Sequence, residues 1–493
     1  MTYPETIQYL ESFINYENIP AYPYKESIKL ERVKNFLVTI NNPQGSLKCL
    51  HIAGTKGKGS TCVFIAYILR QAGYKVGLYT SPHLSDFRER IRILAPRRRL
   101  HAAGSTPQAP RDDFEGMISR KDLAYLVERL RPAIEKSNKN SKYGPLSFFE
   151  VYTSLAFVYF KEEKVDFVVL ETGLGGRLDA TNVVNPLAAA ITPISYEHTQ
   201  KLGSTLREIA TEKAGIIKSR RSGVTGQELI VISAPQEKEA LEVIRQRCKE
   251  VGARLYEVNK DIFCDTKKSG FDVRGAFDKY ANLKIRLLGK HQLINATVAI
   301  GAVEALRLHN INPVRNTKAI TGENKISNGV NVGIDAIRDG LYRAVWPGRC
   351  EVVSSNPLIV LDGAQNIASM RALKETIKEN FSAAGGSRQR REGGKYKRLI
   401  LVLGISSDKD IKGICRQICP LADQVILTQA NNPRATRPEK LAEYFSGKQV
   451  YLTASVKEAK RKALSLAGKD DLILATGSLF VVGEFRDGSQ RKR

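Results

Sequence analysis

Short apolar runs rich in valine, isoleucine and leucine recur along this chain, and longer segments of helical periodicity separate them. Such runs are typical of strands buried on both faces of a parallel sheet, with crossover helices between them. In the first part of the chain they predict strands at residues 47–54, 75–80, 165–172, 187–194 and 228–233. The sequence therefore predicts an α/β fold.

A second series of apolar runs follows the segment WPGR at residues 346–349. Its predicted strands lie in PLIVLDGA, KRLILVLGI, DQVILTQA, QVYLTA and DLILATGS. A chain of 493 residues is also too long for one ordinary core. We therefore expect an N-terminal domain over residues 1–346 with a mostly parallel sheet, and a smaller doubly wound α/β domain over residues 347–493.

Three stretches have the composition of inserted loops: about 96–118, about 312–333 and about 383–397. Each is poor in large apolar residues and rich in glycine, asparagine, serine, lysine or arginine. Segments of this composition cannot bury enough apolar surface to order themselves. We predict that all three are mobile surface loops.

The net charge of +26 raises the question of a nucleic-acid partner. Much of the positive charge is concentrated in predicted loops and at the end of the chain, near residues 97–111, 388–398 and 491–493. None of these clusters has the interleaved aromatic residues of a single-strand binding surface. We expect no nucleic-acid partner, although a nucleic-acid-dependent ATPase stays open as an alternative.

The chain has no long uncharged apolar run and no signal-type start, so we expect a cytoplasmic protein without a membrane partner. Its seven cysteines are scattered and form no C-x-x-C pair. This pattern predicts neither a disulfide framework nor a zinc site.

The segment HIAGTKGKGSTCVFIAYIL reads as a buried strand, a glycine-rich turn and a helix. Backbone N–H groups in such a turn form an anion cradle, and Lys58 can reach the outer phosphates of a nucleotide. We predict a phosphate loop in which Gly57, Lys58, Gly59 and Ser60 bind ATP. The motif differs from the common phosphate-loop sequence, because Gly59 separates Lys58 from the hydroxyl residue Ser60.

The motif GTKGKGS resembles the phosphate loop of the folylpolyglutamate synthase and dihydrofolate synthase family, within the Mur ligase superfamily. Further segments are similar to that family in order: TSPHL, SFFE, ETGLGGRLDATN, YEHTQKLG, EKAGIIK, GKHQLINA, WPGR, LDGAQN and GSLFVVGE. The resemblance extends from about residue 5 to 486. Any one of these segments alone is a weak signal, but together they are specific.

The resemblance implies an ATP-dependent ligase that joins L-glutamate to a folate through an acyl phosphate. The sequence leaves open whether dihydropteroate is a second acceptor. Its expected cofactors are ATP and Mg²⁺, and it is expected to act as a monomer on small molecules. The alternative within the same class is another Mur-type amino-acid ligase.

The resemblance also implies three magnesium ligands, Ser81, Glu171 and His198. Independently, Glu171 ends an apolar strand, and α/β sheets place ligand sites at the carboxyl ends of strands. His198 follows another predicted strand and can offer a neutral ring nitrogen to a metal. Lys213 matches a lysine that is carbamylated in the family. We predict catalytic roles for Lys58, Glu171, His198 and Lys213.

For the nucleotide, the resemblance implies contacts from Asn295 to adenine, Arg349 to phosphate and Asp362 to ribose. Relatives commonly have histidine where this chain has Gln365. For the folate, the resemblance implies contacts from Ser147, Phe148, Phe149, Glu150, Leu178, Asp179 and Ala180. The two adjacent phenylalanines could equally be core residues.

Overall fold

The computed structural model describes residues 1–19, 21–96, 114–219, 228–308, 330–381 and 396–490. The three predicted insertions lie largely outside the described residues. Where their edges are described, the predicted boundaries are too wide. Ile118 and Val332 are fully buried, and the N–H of Ile93 donates to the carbonyl oxygen of Gly116. These edges therefore belong to the core.

The first sheet has seven strands: β1 (Cys49–Ala53), β2 (Val76–Tyr79), β3 (Ile91–Leu94), β4 (Phe167–Glu171), β5 (Ala188–Ile191), β6 (Ile230–Ser233) and β7 (Arg254–Glu257). Their order is β3-β2-β4-β1-β5-β6-β7, and only the edge pair of β2 and β3 is antiparallel. The five strands predicted here all form. The central strands are buried along their whole length, as expected for a parallel sheet covered on both faces.

The three central strands, β4, β1 and β5, end side by side. Ile52 in β1 is paired with Glu171 in β4, and Ala53 in β1 is paired with Ile191 in β5. Because parallel strands share one carboxyl edge, the segments that follow these strands emerge next to each other. Those segments contain the predicted phosphate and metal residues.

A three-stranded antiparallel sheet follows, made of β8 (Phe263–Lys267), β9 (Gly270–Arg274) and β10 (Lys279–Leu283). The sequence analysis did not predict it. Exposed or half-buried residues interrupt β9 and β10 and make up all of β8, so these strands lack the continuous apolar runs that reveal the parallel strands.

The last sheet has six strands: β11 (Glu351–Ser355), β12 (Leu358–Leu361), β13 (Leu399–Leu403), β14 (Gln424–Leu427), β15 (Gln449–Leu452) and β16 (Leu472–Thr476). Their order is β11-β12-β16-β13-β14-β15, and only the pair of β11 and β12 is antiparallel. The five strands predicted for this part of the chain are β12 to β16. Both large sheets are parallel-rich, and the predicted α/β class is confirmed.

Helices cover both large sheets. The helix Lys58–Gln71 contacts the helices His291–Ala305 and Ile334–Arg343 and is buried on nearly every side, which explains its apolar sequence. In the described part of the chain, the remaining α-helices are Tyr3–Glu11, Tyr24–Ser27, Leu30–Thr39, Arg120–Asn140, Phe148–Glu162, Thr199–Leu202, Leu206–Ala214, Lys238–Val251, Ile367–Phe381, Ile411–Ile418, Pro438–Ala442, Val456–Leu466 and Leu479–Gln490. Within the described ranges, none of the helices combines the length and apolar character needed to cross a membrane.

Candidate active site

The turn after β1 has the geometry of a phosphate loop. Its helix begins at Lys58, and the preceding Gly57 has a φ of +84°, a left-handed conformation that favours glycine. The first N–H groups of a helix have no partner within the helix, and they form the positive end of its dipole. The turn therefore presents the N–H groups of Lys58, Gly59 and Ser60 to an anion.

Hydrogen bonds join the phosphate loop to the segment that follows β5. The N–H groups of Thr55 and Lys56 both donate to the carbonyl oxygen of Pro193, at 3.0 and 3.2 Å. The Thr55 hydroxyl donates to the Ser195 carbonyl oxygen at 3.2 Å and accepts from the Ser195 N–H at 3.1 Å. His198 lies three residues further along, so its segment is attached to the phosphate loop.

Glu171, at the end of β4, lies next to a second predicted metal ligand. Its Oε2 accepts a hydrogen bond from the N–H of Ser81 at 3.2 Å. Burial raises the pKa of the Glu171 carboxyl, while the positive charges of Lys58 and Arg349 oppose that rise. Of these two cations, Lys58 belongs to the phosphate loop and Arg349 comes from the segment just before the six-stranded sheet.

His198 lies just before the short helix Thr199–Leu202, and its own backbone is left-handed, with a φ of +52°. Burial lowers the pKa of its imidazole to about 3, so the ring is neutral at pH 7 and keeps one nitrogen lone pair. The neighbouring Glu197 accepts a hydrogen bond from Asn366 Nδ2 at 3.0 Å and lies 3.9 Å from Lys409 Nζ. This bridge connects the segment after β5 to the part of the chain that forms the six-stranded sheet.

Two predicted nucleotide residues are held in place by hydrogen bonds. A Cβ atom on Gly57 would lie 2.1 Å from Asn295 Oδ1, so Asn295 packs directly against the phosphate loop. Its Nδ2 donates to Gln292 Oε1 at 2.9 Å. Asp362 follows β12, and its two oxygens accept from the N–H groups of Cys350 and Ala364, each at 2.8 Å. Asn295 and Asp362 are thus fixed before any ligand binds.

Lys213 also reaches the phosphate loop. It lies near the end of the helix Leu206–Ala214, is buried, and donates from Nζ to the carbonyl oxygen of Gly54 at 2.7 Å. Burial, with the larger effect, and the positive charge of Lys58 lower the pKa of Lys213 to about 7. A substantial fraction of this amine is therefore neutral at pH 7.

A cavity of about 170 Å³ opens beside these residues. Ser81 connects the two regions, because it lines the cavity while its N–H donates to Glu171. Six further residues that the sequence analysis assigned to the site line the cavity: Ser147, Phe149, Glu150, Asp179, Ala180 and His198. Gln365, the residue that departs from the family pattern, lines it as well.

Phe148 and Leu178 do not line this cavity. Phe148 is fully buried between Phe87 and Tyr152, with ring centroids 5.6 and 5.5 Å away, and it belongs to the core beneath the site. Leu178 packs against a separate apolar cluster that includes Ala189 and Ile191 of β5. Successive side chains of an α-helix point about 100° apart, which explains why Phe149 faces the cavity and its neighbour Phe148 faces the core.

Ser147 and Glu150 have a structural task in addition to lining the cavity. They form a reciprocal cap at the start of the helix Phe148–Glu162. Arg32 Nε donates to both oxygens of Glu150, at 3.0 and 2.9 Å, and both side chains of this pair are buried. The SFFE segment therefore fixes the helix that carries Phe149.

Asp179 is also held by the backbone around it. Its Oδ2 accepts from the N–H groups of Gly173 and Leu174, each at 2.9 Å, and its Oδ1 accepts from the N–H of Thr181 at 3.0 Å. Burial raises the pKa of the Asp179 carboxyl, while these hydrogen bonds oppose the rise. The carboxyl group is thus a fixed feature of the cavity wall.

Sequence reasoning did not identify several residues that line the same cavity. They come from the N-terminal segment, from the helices Thr199–Leu202 and Leu479–Gln490 and from loops of the six-stranded sheet: Tyr16, Glu17, Tyr22, Tyr24, Lys201, Lys409, Arg434 and Phe480. The closely spaced tyrosines at 16, 22 and 24 were the available signal. Only the tertiary structure brings them to the site.

Two sequence matches define the class of this protein. Residues 143–303 match the Mur ligase middle domain, and residues 348–479 match the Mur ligase glutamate ligase domain. Together with the phosphate loop at the carboxyl edge of a parallel sheet, these matches define an ATP-dependent ligase of the Mur type.

Relatives of known name narrow the class. The chain is 31% identical to the dihydrofolate synthase/folylpolyglutamate synthase of Bacillus subtilis, over 93% of this chain and 94% of the relative. The chain belongs to the folylpolyglutamate synthase/dihydrofolate synthase family, which confirms the resemblance noted in the sequence. Its fold is similar to that of Mycobacterium tuberculosis folylpolyglutamate synthase complexed with ADP, with a TM-score of 0.79, 26% identity and coverage of 99% and 98% of the two chains.

A second solved structure, E. coli FolC in complex with DHPP and ADP, has a TM-score of 0.78 and 27% identity. That comparison covers 100% of this chain and 99% of the relative. The similarity therefore includes both large sheets and the segments between them.

Proposed function

We propose that this ligase joins L-glutamate to a folate, and also to dihydropteroate, through an acyl phosphate. One observation carries the proposal: Ser81 links Glu171, which lies beside the phosphate loop, to the cavity lined by Phe149 and Asp179. A nucleotide and a folate bound at these places would meet at Ser81. The names of the relatives, and the ligands of the E. coli relative, support the same substrates.

In this proposal, Lys58 and the N–H groups of the phosphate loop hold the outer phosphates of ATP. Arg349, from the segment just before the other large sheet, would bind the same phosphates, and its charge already opposes the rise in the pKa of Glu171. Asn295 and Asp362, which the resemblance assigns to adenine and ribose, are already fixed by their hydrogen bonds. Prepositioned groups lose little conformational freedom when the nucleotide binds.

The reaction then proceeds in two steps. An oxygen of the substrate carboxylate attacks the γ-phosphorus of ATP, the bond to ADP breaks, and an acyl phosphate forms. The amine of glutamate next attacks the acyl carbon and loses a proton, and phosphate leaves to give the amide. Lys58 stabilises negative charge that develops on the transferred phosphoryl group. Bound folate would fill the cavity and exclude water from the acyl phosphate.

Magnesium would be held by Glu171 and Ser81, with His198 as a third predicted ligand. The donor chemistry fits, because Glu171 and Ser81 supply oxygen ligands and the His198 ring is neutral. In the part of the chain that the structure describes, no three His, Cys, Asp or Glu side chains form a metal-binding group. Magnesium commonly takes one or two carboxylates and completes its shell with water and phosphate. When bound, it neutralises charge on the ATP phosphates.

We also propose that residues 1–346 and 347–493 are the two domains. The strands of the seven-stranded sheet all precede residue 346, and those of the six-stranded sheet all follow it. Arg349 and Asp362 lie just beyond this boundary. An ATP site that uses these two residues together with the phosphate loop would therefore need both domains.

The proposal is tested by incorporation of radiolabelled glutamate, with tetrahydrofolate and dihydropteroate supplied separately. We expect ATP-dependent incorporation with both acceptors and release of one ADP for each amide formed. Incorporation with tetrahydrofolate alone would remove dihydropteroate from the proposal. ATP turnover that ignores both acceptors but rises with DNA or RNA would contradict it entirely.

The two adjacent phenylalanines give a matched pair of variants. Phe149→Ala should raise the KM for tetrahydrofolate by roughly tenfold, because the cavity loses an aromatic wall. Phe148→Ala should instead lower the free energy of unfolding by about 3 to 5 kcal/mol, because it leaves a void in the core. Steady-state kinetics and urea denaturation on both variants check the pair. The reverse assignment of effects would contradict the placement of the two rings.

A further inference from the structure

Three basic side chains line the cavity together: Lys201, Lys409 and Arg434. Lys201 comes from the helix Thr199–Leu202, after the first five strands of the seven-stranded sheet, whereas the other two come from loops of the six-stranded sheet. Positive charge therefore faces the cavity from both large sheets. The question is which anions this charge meets.

The two cations from the six-stranded sheet have acidic partners within the protein. Arg434 Nη1 lies 3.4 Å from Asp408 Oδ2, and Lys409 Nζ lies 3.5 Å from the same oxygen. Lys409 Nζ also lies 3.9 Å from Glu197. Asp408 and Glu197 thus offset much of the charge on this side of the cavity.

Lys201 has no such partner. Within the described ranges, no carboxylate forms an ion pair with it. Its Nζ donates to the carbonyl oxygen of Ile19 at 3.4 Å and lies 4.1 Å from the centre of the Tyr22 ring. The Tyr22 ring is itself packed against Tyr16, with centroids 4.7 Å apart. The ammonium group is therefore held in position at the cavity by a carbonyl oxygen and an aromatic ring, and not by contact with a carboxylate.

The carboxylates on the cavity wall already form hydrogen bonds or ion pairs with other groups of the protein. Glu17 accepts from both terminal nitrogens of Arg90, at 2.8 and 2.6 Å. Glu150 is paired with Arg32, and Asp179 accepts backbone N–H groups. A ligand with a carboxylate would supply the anion that Lys201 lacks.

We propose that Lys201 binds a free carboxylate that the acceptor carries in addition to the carboxylate that reacts. This inference rests on the proposed function. A folate that already bears one glutamate has such a group, because its γ-carboxylate reacts and its α-carboxylate stays free. Dihydropteroate has none, because its only carboxylate reacts. Lys201 thus makes the enzyme favour acceptors that already carry glutamate.

The test crosses two full-length enzymes, wild type and Lys201→Met, with two acceptors. The acceptors are tetrahydrofolate monoglutamate and its α-carboxamide, which keeps the reacting γ-carboxylate. For the wild type, we expect kcat/KM to be at least about tenfold lower with the amide, because a charge-assisted hydrogen bond is lost. For Lys201→Met, we expect the two acceptors to differ by less than about twofold. Methionine retains an apolar stem over Tyr22.

Two further variants separate binding from structure. Lys201→Arg should keep a preference for the α-carboxylate. Lys462→Met is the matched control, because Lys462 lies 4.3 Å from the Tyr451 ring but does not line the cavity. It should keep the wild-type preference. A merely structural role for Lys201 would lower kcat/KM for both acceptors equally and would overturn the inference.

The wild-type comparison does not depend on the folding of any variant. Equal use of carboxylate and amide by the wild type would overturn the inference and leave the proposed function intact. If Lys201→Met keeps the full preference for the α-carboxylate over the amide, another residue binds that carboxylate and the inference is wrong. Failure of the wild type to use either acceptor would overturn the proposed function, and the inference with it.

Discussion

Replacing Lys58 with alanine should lower turnover at least about 100-fold while the protein stays folded, on the scale of losing one strong electrostatic stabiliser. Lys58 begins the helix at the phosphate loop, and its charge acts on the buried Glu171. It is only partly buried, so its removal leaves no void in the core. Steady-state kinetics with saturating ATP and folate, together with thermal unfolding, check the prediction.

Lys56→Ala is the matched control, because Lys56 lies in the same turn and contributes its backbone N–H to the bond with Pro193. That bond survives the substitution. We expect Lys56→Ala to lower turnover by less than about tenfold, because the N–H cradle and Lys58 are unchanged. Near-normal turnover of Lys58→Ala, with an unchanged unfolding profile, would refute the phosphate-loop assignment.

The parallel strands were predictable because burial on both faces leaves a continuous apolar run. The segment before Glu171 is such a run, and β4 is buried throughout. The carboxyl end of such a strand is also where a polar residue indicates a site. The strands that escaped prediction include short antiparallel ones, such as β9, where alternating exposure breaks the run, and the parallel edge strand β7, whose residues are mostly exposed or half-buried.

The site was predictable in part, because a motif marks a segment and not the direction of each side chain. SFFE includes a helix cap, a core ring and a cavity ring, and only the helix geometry separates Phe148 from Phe149. Lys201 and Tyr22 are 179 positions apart in the sequence, yet they form one contact. A local sequence pattern cannot indicate a contact between residues so far apart in the chain. The roles assigned to the individual site residues stay predictions.

Lys213→Ala should be nearly inactive and should partly recover with formate or acetate. The resemblance implies that this lysine is carbamylated, and its place in the structure supports that chemistry. Lys213 is buried and bonded to Gly54, at the start of the phosphate loop. The carboxylate of a carbamate on Lys213 would therefore lie beside the nucleotide site. In the alanine variant, formate or acetate could occupy that position.

Carbamylation requires the neutral amine, which attacks CO₂, forms a nitrogen–carbon bond and releases a proton. Burial has the largest effect on the pKa of Lys213, and the positive charge of Lys58 has the next largest. Together they lower it to about 7. The lowered pKa means that the neutral form dominates above pH 7 and the ammonium form below it. At a fixed concentration of dissolved CO₂, the carbamate should therefore increase as the pH rises through 7. Carbon-13 NMR after labelling with bicarbonate measures it.

Lys213→Arg is the control that separates positive charge from carbamate. Arginine keeps a cation near Gly54 but cannot form the carbamate, and it fills the space that formate or acetate would need. It should be inactive and should not recover with either acid. The carbamate converts a cation that repels magnesium into an anion that can accept hydrogen bonds or approach the metal. An unmodified Lys213 in an active, ATP-bound enzyme would refute this role and leave the ligase function standing, because Lys58 and Glu171 do not depend on the modification.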